Sequence, residues 1–328
     1  MAAGVSVSSA SRVMSGRGEF GAGTRARVIA AAEQLGYERS ATTRGRPRNL
    51  DTRLVELVLG TFSGSWTDAV VRGAREAAFR VGYDLALTLE RDEPEDDWPA
   101  RVATRRPSGI ILGVITPTTR QLDQLRGLRI PIVLLDPRSD VGGDLPSIGT
   151  TDWRGGYDAG VHLASTGIRR FLIVTGAPQF RFGRARETGF RQAIAEYQQG
   201  AVIDRVTTDW ELLQVTSEFF KPFVEIDERL GVFALSDDMA FIVYRVVDAL
   251  GLSIPDDVSI VGFDDVERAA RMEPPLTSIR QPVTAIAARA VEMVHAAHSG
   301  EEVHERIELP SQLVVRESSR ATNLTNPG

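Results

Sequence analysis

The chain has 328 residues, 42% hydrophobic and 25% charged, with a formal net charge of −6 and no cysteine. Such a composition is globular and long enough for more than one hydrophobic core, and the missing cysteines exclude disulfides, iron–sulfur clusters, thiolate zinc sites and thiol nucleophiles. No apolar run approaches the roughly twenty residues of a membrane span, and the first residues lack the basic-then-apolar order of a secretory signal, so the expected compartment is the cytoplasm, without a membrane partner.

In chain order, the first element is a short helix in Gly4–Met14, with Val5, Ala10, Val13 and Met14 on one face and serines with Arg12 on the other. Small hydroxyls and a guanidinium on an exposed helix face suit a major groove, where they meet phosphates and base edges. A supporting helix follows over Thr24–Tyr37. A helix-turn-helix also needs a helix packed behind the recognition helix; only Met1-Ala2-Ala3 precede the turn, so that first helix is expected to be missing from this chain. Charge separates the same segment: residues 1–50 carry eight arginines against three glutamates, a net +5, which leaves −11 for the remainder. A basic head on an acidic body suits a module that touches phosphates, tethered to one that a duplex repels.

Residues 1–38 are therefore read as an all-α headpiece and 39–53, rich in Arg, Thr and Pro, as a basic hinge or linker. Beyond it, apolar runs at 54–59, 84–89, 109–114, 130–135, 171–175, 231–235 and 258–263 alternate with helical patterns at 66–81, 119–126, 155–166, 184–198, 238–250 and 284–298. Apolar strands alternating with amphipathic helices predict doubly wound parallel sheets covered on both faces. Residues 54–318 exceed one such domain, so two α/β lobes with a cleft between them are expected, followed by a disordered tail over 319–328. The glycine spacing in Gly16–Gly21 matches a dinucleotide-binding loop, but no strand precedes it.

The ordered motifs along the chain resemble the lactose/galactose repressor (LacI/GalR) family of bacterial transcription regulators. The headpiece carries Gly4-Val5-Ser6, Ser11-Arg12-Val13, Thr24-Arg25, Arg27-Val28 and Leu35-Gly36-Tyr37; the core carries Ile148-Gly149-Thr150 with Gly155-Gly156, Arg186-Glu187-Thr188-Gly189-Phe190, Ser236-Asp237-Asp238-Met239-Ala240, Val261-Gly262-Phe263-Asp264-Asp265, Pro275 to Pro282, and Leu313 to Arg316. The resemblance implies a periplasmic-binding-protein-like core of two lobes, a homodimer, a partly palindromic operator DNA and a small effector in the cleft. It also implies that Val7, Ser8 and Arg12 read bases and that Ser6, Ser9 and Ser11 contact phosphates; Ser6 also suits a helix cap. The hinge departs from the family, since Thr43-Arg44-Gly45-Arg46 replaces the usual wedge leucine. Arg44-Gly45-Arg46-Pro47 resembles an AT-hook core, whose arginines lie in a narrow A·T minor groove; a flexible basic linker is the other reading of the same residues.

For the cleft, the resemblance places Arg186, Trp210, Asp237 and Asp264 around the effector, with Trp66 near the start of the first core helix. Aromatic platforms beside planar ionic groups suit a sugar, which presents C–H faces and adjacent hydroxyls. No nucleophile–base pair stands out, neighbouring acids such as Asp237-Asp238 and Asp264-Asp265 point apart and offer one group each, and His295, His298 and His304 read as solvated surface rather than a metal site. No catalytic residue, cofactor or metal is expected. A sugar-operated transcription regulator, most simply a repressor, is the leading reading; a cytoplasmic sugar sensor with a defective headpiece is the alternative.

Overall fold

The protein is described from a computed structural model, which covers residues 3–14, 20–34, 52–91, 93, 95–139, 144–178, 180–208, 217–224, 228–303 and 306–319. Most of the hinge, with Arg44 and Arg46, lies outside the described residues, as do Trp210 and the tail from 320. The chain divides into two compact units, Met1–Asp51 and Thr52–Gly328.

In the first unit, α1 (Val7–Met14) and α2 (Ala22–Gln34) share a small core of Val13, Val28 and Ala31. Ser6 precedes α1, and its hydroxyl accepts the Ser9 N–H at 3.2 Å, which satisfies one of the donors a helix start leaves open. Burying Val13 turns Val7 and Arg12 outward; Val7 is 79% exposed.

The second unit holds two sheets of six strands. In the first, β1 (Leu54–Leu59), β2 (Asp84–Leu89), β3 (Gly109–Gly113), β4 (Ile132–Leu135) and β5 (Ser147–Thr150) are joined by the late strand β11 (Arg306–Leu309), in the order β11-β5-β4-β3-β1-β2. Every pairing is parallel. Parallel strands need crossover helices, and these cover both faces. Leu57, Ile111 and Val133 face the core shared with α3 (Ser65–Arg80) and α10 (Val283–His298), while Val58, Ile110 and Leu112 face the core of α4 (Trp98–Arg105) and α5 (Thr119–Arg126). The alternation is the period of two that a pleated strand imposes.

The second sheet runs β12-β10-β9-β8-β6-β7, from β6 (Arg170–Thr175), β7 (Val202–Thr207), β8 (Leu230–Ala234), β9 (Val258–Asp264), β10 (Thr277–Arg280) and β12 (Gln312–Val314). Only β12 is antiparallel, on β10. Helices α6 (Asp152–Ser165), α7 (Arg181–Tyr197), α8 (Ser217–Val224) and α9 (Asp237–Ala249) accompany it. The chain crosses between the sheets' lobes after β5, after β10 and between β11 and β12. The predicted two-lobed α/β architecture is therefore present.

The contact between α6 and α7 fixes the site described next. A Cβ on Gly156 would sit 2.0 Å from the Arg186 carbonyl oxygen, and one on Gly189 would sit 2.0 Å from that of Trp153. Only glycine allows the two backbones to approach so closely.

Candidate functional site

A cavity of about 680 Å³ opens between the two lobes at the carboxyl ends of the parallel strands. It is bounded by the segments that leave β1, β2, β3, β4, β8 and β9, which is where doubly wound sheets place their ligands. Backbone strain concentrates on this rim: Val114, Asp136, Asp264 and Asp265 have φ of 49°, 45°, 117° and 54°, a region that non-glycine residues avoid.

Arg186, from α7, is the fixed charge of the cavity. It is 4% exposed; its Nε donates to Asp152 Oδ1 at 2.8 Å and its Nη1 to the Leu235 carbonyl at 2.7 Å. The guanidinium lies 3.7 Å from the Phe263 ring centroid, and Asp264 Oδ1 stands 3.9 Å from Nη1. Gln281, beside the crossover into α10, donates from Nε2 to Asp264 Oδ1. The Gln281 Oε1 is buried against the cavity with no hydrogen-bond partner. A buried acceptor without a donor costs about 1–3 kcal/mol, which a ligand hydroxyl would recover.

Aromatic faces complete the wall. Phe180 and Phe182 stack at 5.6 Å with an interplanar angle of 20°, and Trp66, at the start of α3, lines the opposite lobe's side. Ser236 also lines the cavity while capping α9, its hydroxyl accepting the Met239 N–H at 3.3 Å.

Trp66, Arg186 and Asp264 thus meet at one cavity, as the sequence suggests. Asp237 does not. It is fully buried beneath the wall, where Oδ1 accepts from Ser278 Oγ at 2.6 Å and Oδ2 from the Val266 N–H at 2.8 Å, so it ties β10 to the loop after β9. Asp238 takes the cavity-lining position instead, because successive residues on α9 point about 100° apart. The second acid pair divides likewise: Asp264 lines the cavity, whereas Asp265 is held by Arg280 and Arg316, each at 2.7 Å. Asp136, Phe180, Phe182 and Gln281 are among the lining residues absent from the sequence-based set. Asp136 carried one signal, an acid ending the apolar run Ile132–Leu135. Among the described residues no cluster of potential metal ligands occurs, and no helix is long and apolar enough to cross a membrane.

A two-lobed α/β core with a polar and aromatic interlobe cavity defines a small-molecule-binding regulator or receptor of the periplasmic-binding type. Residues 161–319 match the periplasmic binding protein-like domain, and residues 1–40 match the bacterial regulatory proteins of the lacI family. The transcriptional regulator MalR of Streptomyces coelicolor is 31% identical over 331 residues, which cover 97% of this chain and 94% of that protein. The solved complex of the transcriptional regulator CelR with cellobiose is 26% identical, with a TM-score of 0.69 and 97% of both chains covered. The lac repressor dimer bound to operator and an anti-inducer shares the fold, at 23% identity and a TM-score of 0.73 over 97% of this chain and 96% of that one. The chain belongs to the lacI family of bacterial transcription regulators, a family of regulators and not of enzymes.

The acids of the cavity make stability depend on pH. Burial, then the neighbouring Asp152, pushes the Asp136 carboxyl up to about 8, and burial, partly offset by Arg186, pushes Asp264 up to about 7. Both titrate near 3.8 when unfolded. The folded protein thus keeps protons that the unfolded chain releases, so this contribution to stability is complete at low pH and is lost as pH rises through the folded values. In chemical denaturation between about pH 5 and about pH 8, Asp136→Asn should lose stability less steeply than the native chain; identical slopes would contradict the assignment.

Proposed function

We propose that this regulator binds a partly palindromic operator as a homodimer in the cytoplasm, and that a small carbohydrate between the lobes controls its operator affinity. The observation that carries the carbohydrate assignment is the juxtaposition, in one cavity, of the Phe180–Phe182 and Trp66 faces with Arg186, Asp264 and the unpartnered Gln281 oxygen. Stacked rings match the C–H faces of a pyranose, and a carboxylate beside a guanidinium meets two adjacent hydroxyls. A relative with cellobiose bound supports the same class. The homodimer reading is supported by large apolar side chains exposed on the first lobe, Phe79 of α3 at 84% and Leu87 of β2 at 43%.

A thermal-shift panel of pentoses, hexoses and disaccharides including cellobiose tests the effector class, because a ligand specific for the folded state raises the melting temperature. At least one sugar should do so, and Trp66→Ala and Asp264→Asn should each weaken its binding by about tenfold. Failure of every sugar, or unchanged binding in both variants, would remove the carbohydrate assignment.

On the DNA side, Val7, Ser8 and Arg12 are proposed to read bases, with Ser6, Ser9 and Ser11 on phosphates. The outward Arg12 suits a guanine edge and the outward Val7 a thymine methyl. In the hinge, Arg44 and Arg46 are proposed to enter a narrow A·T minor groove in place of a wedging leucine. Replacing both by Ala should lower affinity for an operator with an A·T centre more than for one with a G·C centre. Equal losses on both would reduce the hinge to a basic tether.

A further inference from the structure

A second cavity, of about 320 Å³, lies beside the first on the flank where the chain passes from β5 into α6. Arg154, near the start of α6, Arg181, the first residue of α7, and Arg306, the first residue of β11, all line it. These elements come from both lobes and are far apart in sequence, so the fold gathers three guanidiniums at one opening. The acids there are already engaged. Asp152 accepts from Arg186, Glu308 accepts from Arg306 at 2.8 Å, and burial keeps most of Asp136 protonated at neutral pH. Arg154 donates its Nε to Asp158 and lies 5.8 Å from the Tyr157 ring centroid, and Arg306 donates one Nη to Glu308; each guanidinium carries more N–H groups than these contacts use, and both side chains are more than half exposed. Helices α6 and α7 both begin at this wall with no side-chain cap on their first N–H groups, and α7, with no acid in its first turn, adds positive potential of the same sign. Trp153, 39% exposed and stacked on Tyr157 at 5.3 Å, supplies an apolar face at the rim.

We propose that this second cavity binds a small phosphate monoester of monosaccharide size, its phosphate held by Arg154 and Arg306 and its organic part lying on Trp153. Planar guanidinium forks match phosphate oxygens in pairs, and the volume is at the lower end of ligand pockets. Asp136 and Phe182 line both cavities, and Asp152, in the second, holds Arg186 of the first. A ligand in the second cavity therefore changes the wall of the first, and the two sites are thermodynamically coupled. The assignment does not depend on what occupies the first cavity.

Isothermal titration of the full chain with glucose 6-phosphate, inorganic phosphate and glucose tests it. Glucose 6-phosphate should bind, inorganic phosphate should bind more weakly, and the Arg154→Gln/Arg306→Gln variant should weaken the ester by at least about tenfold. Both side chains are more than half exposed, and the variant's melting curve checks that it folds. The control Arg126→Gln/Arg129→Gln, which removes the same charge from another surface, should bind as the native chain does. The proposal is overturned if neither phosphate compound binds at about 10 mM, if inorganic phosphate or glucose binds as tightly as the ester, or if the two double variants behave alike.

Discussion

The structure of the cleft depends on one buried charge, the Arg186 guanidinium. A cation removed from water must be compensated, and here Asp152, the Leu235 carbonyl, the Phe263 ring and Asp264 surround it. Those partners come from α6, from the residue after β8 and from the end of β9, so the requirement to satisfy one guanidinium of α7 fixes four segments together. The glycines of the α6–α7 contact serve the same end, since Gly156 lies against the backbone of Arg186 itself. Loss of the arginine would leave Asp152 and Asp264 as uncompensated buried acids, the costlier way to break such a group.

Around that charge the protein accumulates features that stability alone would not favour. Three buried or nearly buried acids, Asp136, Asp152 and Asp264, sit within mutual electrostatic reach and are pushed toward protonation. Four non-glycine residues on the rim have left-handed backbone, and Gln281 keeps an unanswered acceptor. Strain and unsatisfied polarity concentrated at the ends of otherwise regular strands mark a site arranged for a ligand. Because the acids come from both lobes, a ligand that hydrogen-bonds them stabilises one arrangement of the lobes over another, which is the physical basis for controlling a tethered DNA-binding unit.

Much of this was legible in the sequence. The central strands β1, β3, β4, β6, β8 and β9 are buried on both faces and read as continuous Val, Ile and Leu runs. Even so, the run over Leu54–Leu59 contains Glu56, fully buried and paired in two places with Arg105 of α4, a contact no local pattern announces. Strands β5 (SIGT) and β10 (TSIR) are too short and polar for such a run, and the edge strand β7 (VIDRVT) alternates toward solvent. Helix α4, which opens with Trp98-Pro99 in its first turn, is absent from the helical patterns read in the sequence. In the site, Trp66, Arg186 and Asp264 were legible from the resemblance. Asp136, Phe180, Phe182 and Gln281 were not, because only the sheet order brings those distant strand ends to one opening. Asp237 was misplaced for a local reason: on a helix start, one step along the chain exchanges the buried face for the cavity.

The central claim is that the Arg186 cluster senses the ligand and transmits its presence to the DNA-binding unit. Operator affinity, measured by fluorescence anisotropy with and without a saturating sugar for the native chain and for Arg186→Lys, tests it most directly. The lysine keeps the charge but loses the planar fork that spans Asp152 and the Leu235 carbonyl. The account predicts that the sugar changes operator affinity of the native chain by at least about fivefold and leaves that of the variant unchanged; an Arg186→Lys protein that still responds to the sugar as fully as the native chain would contradict it.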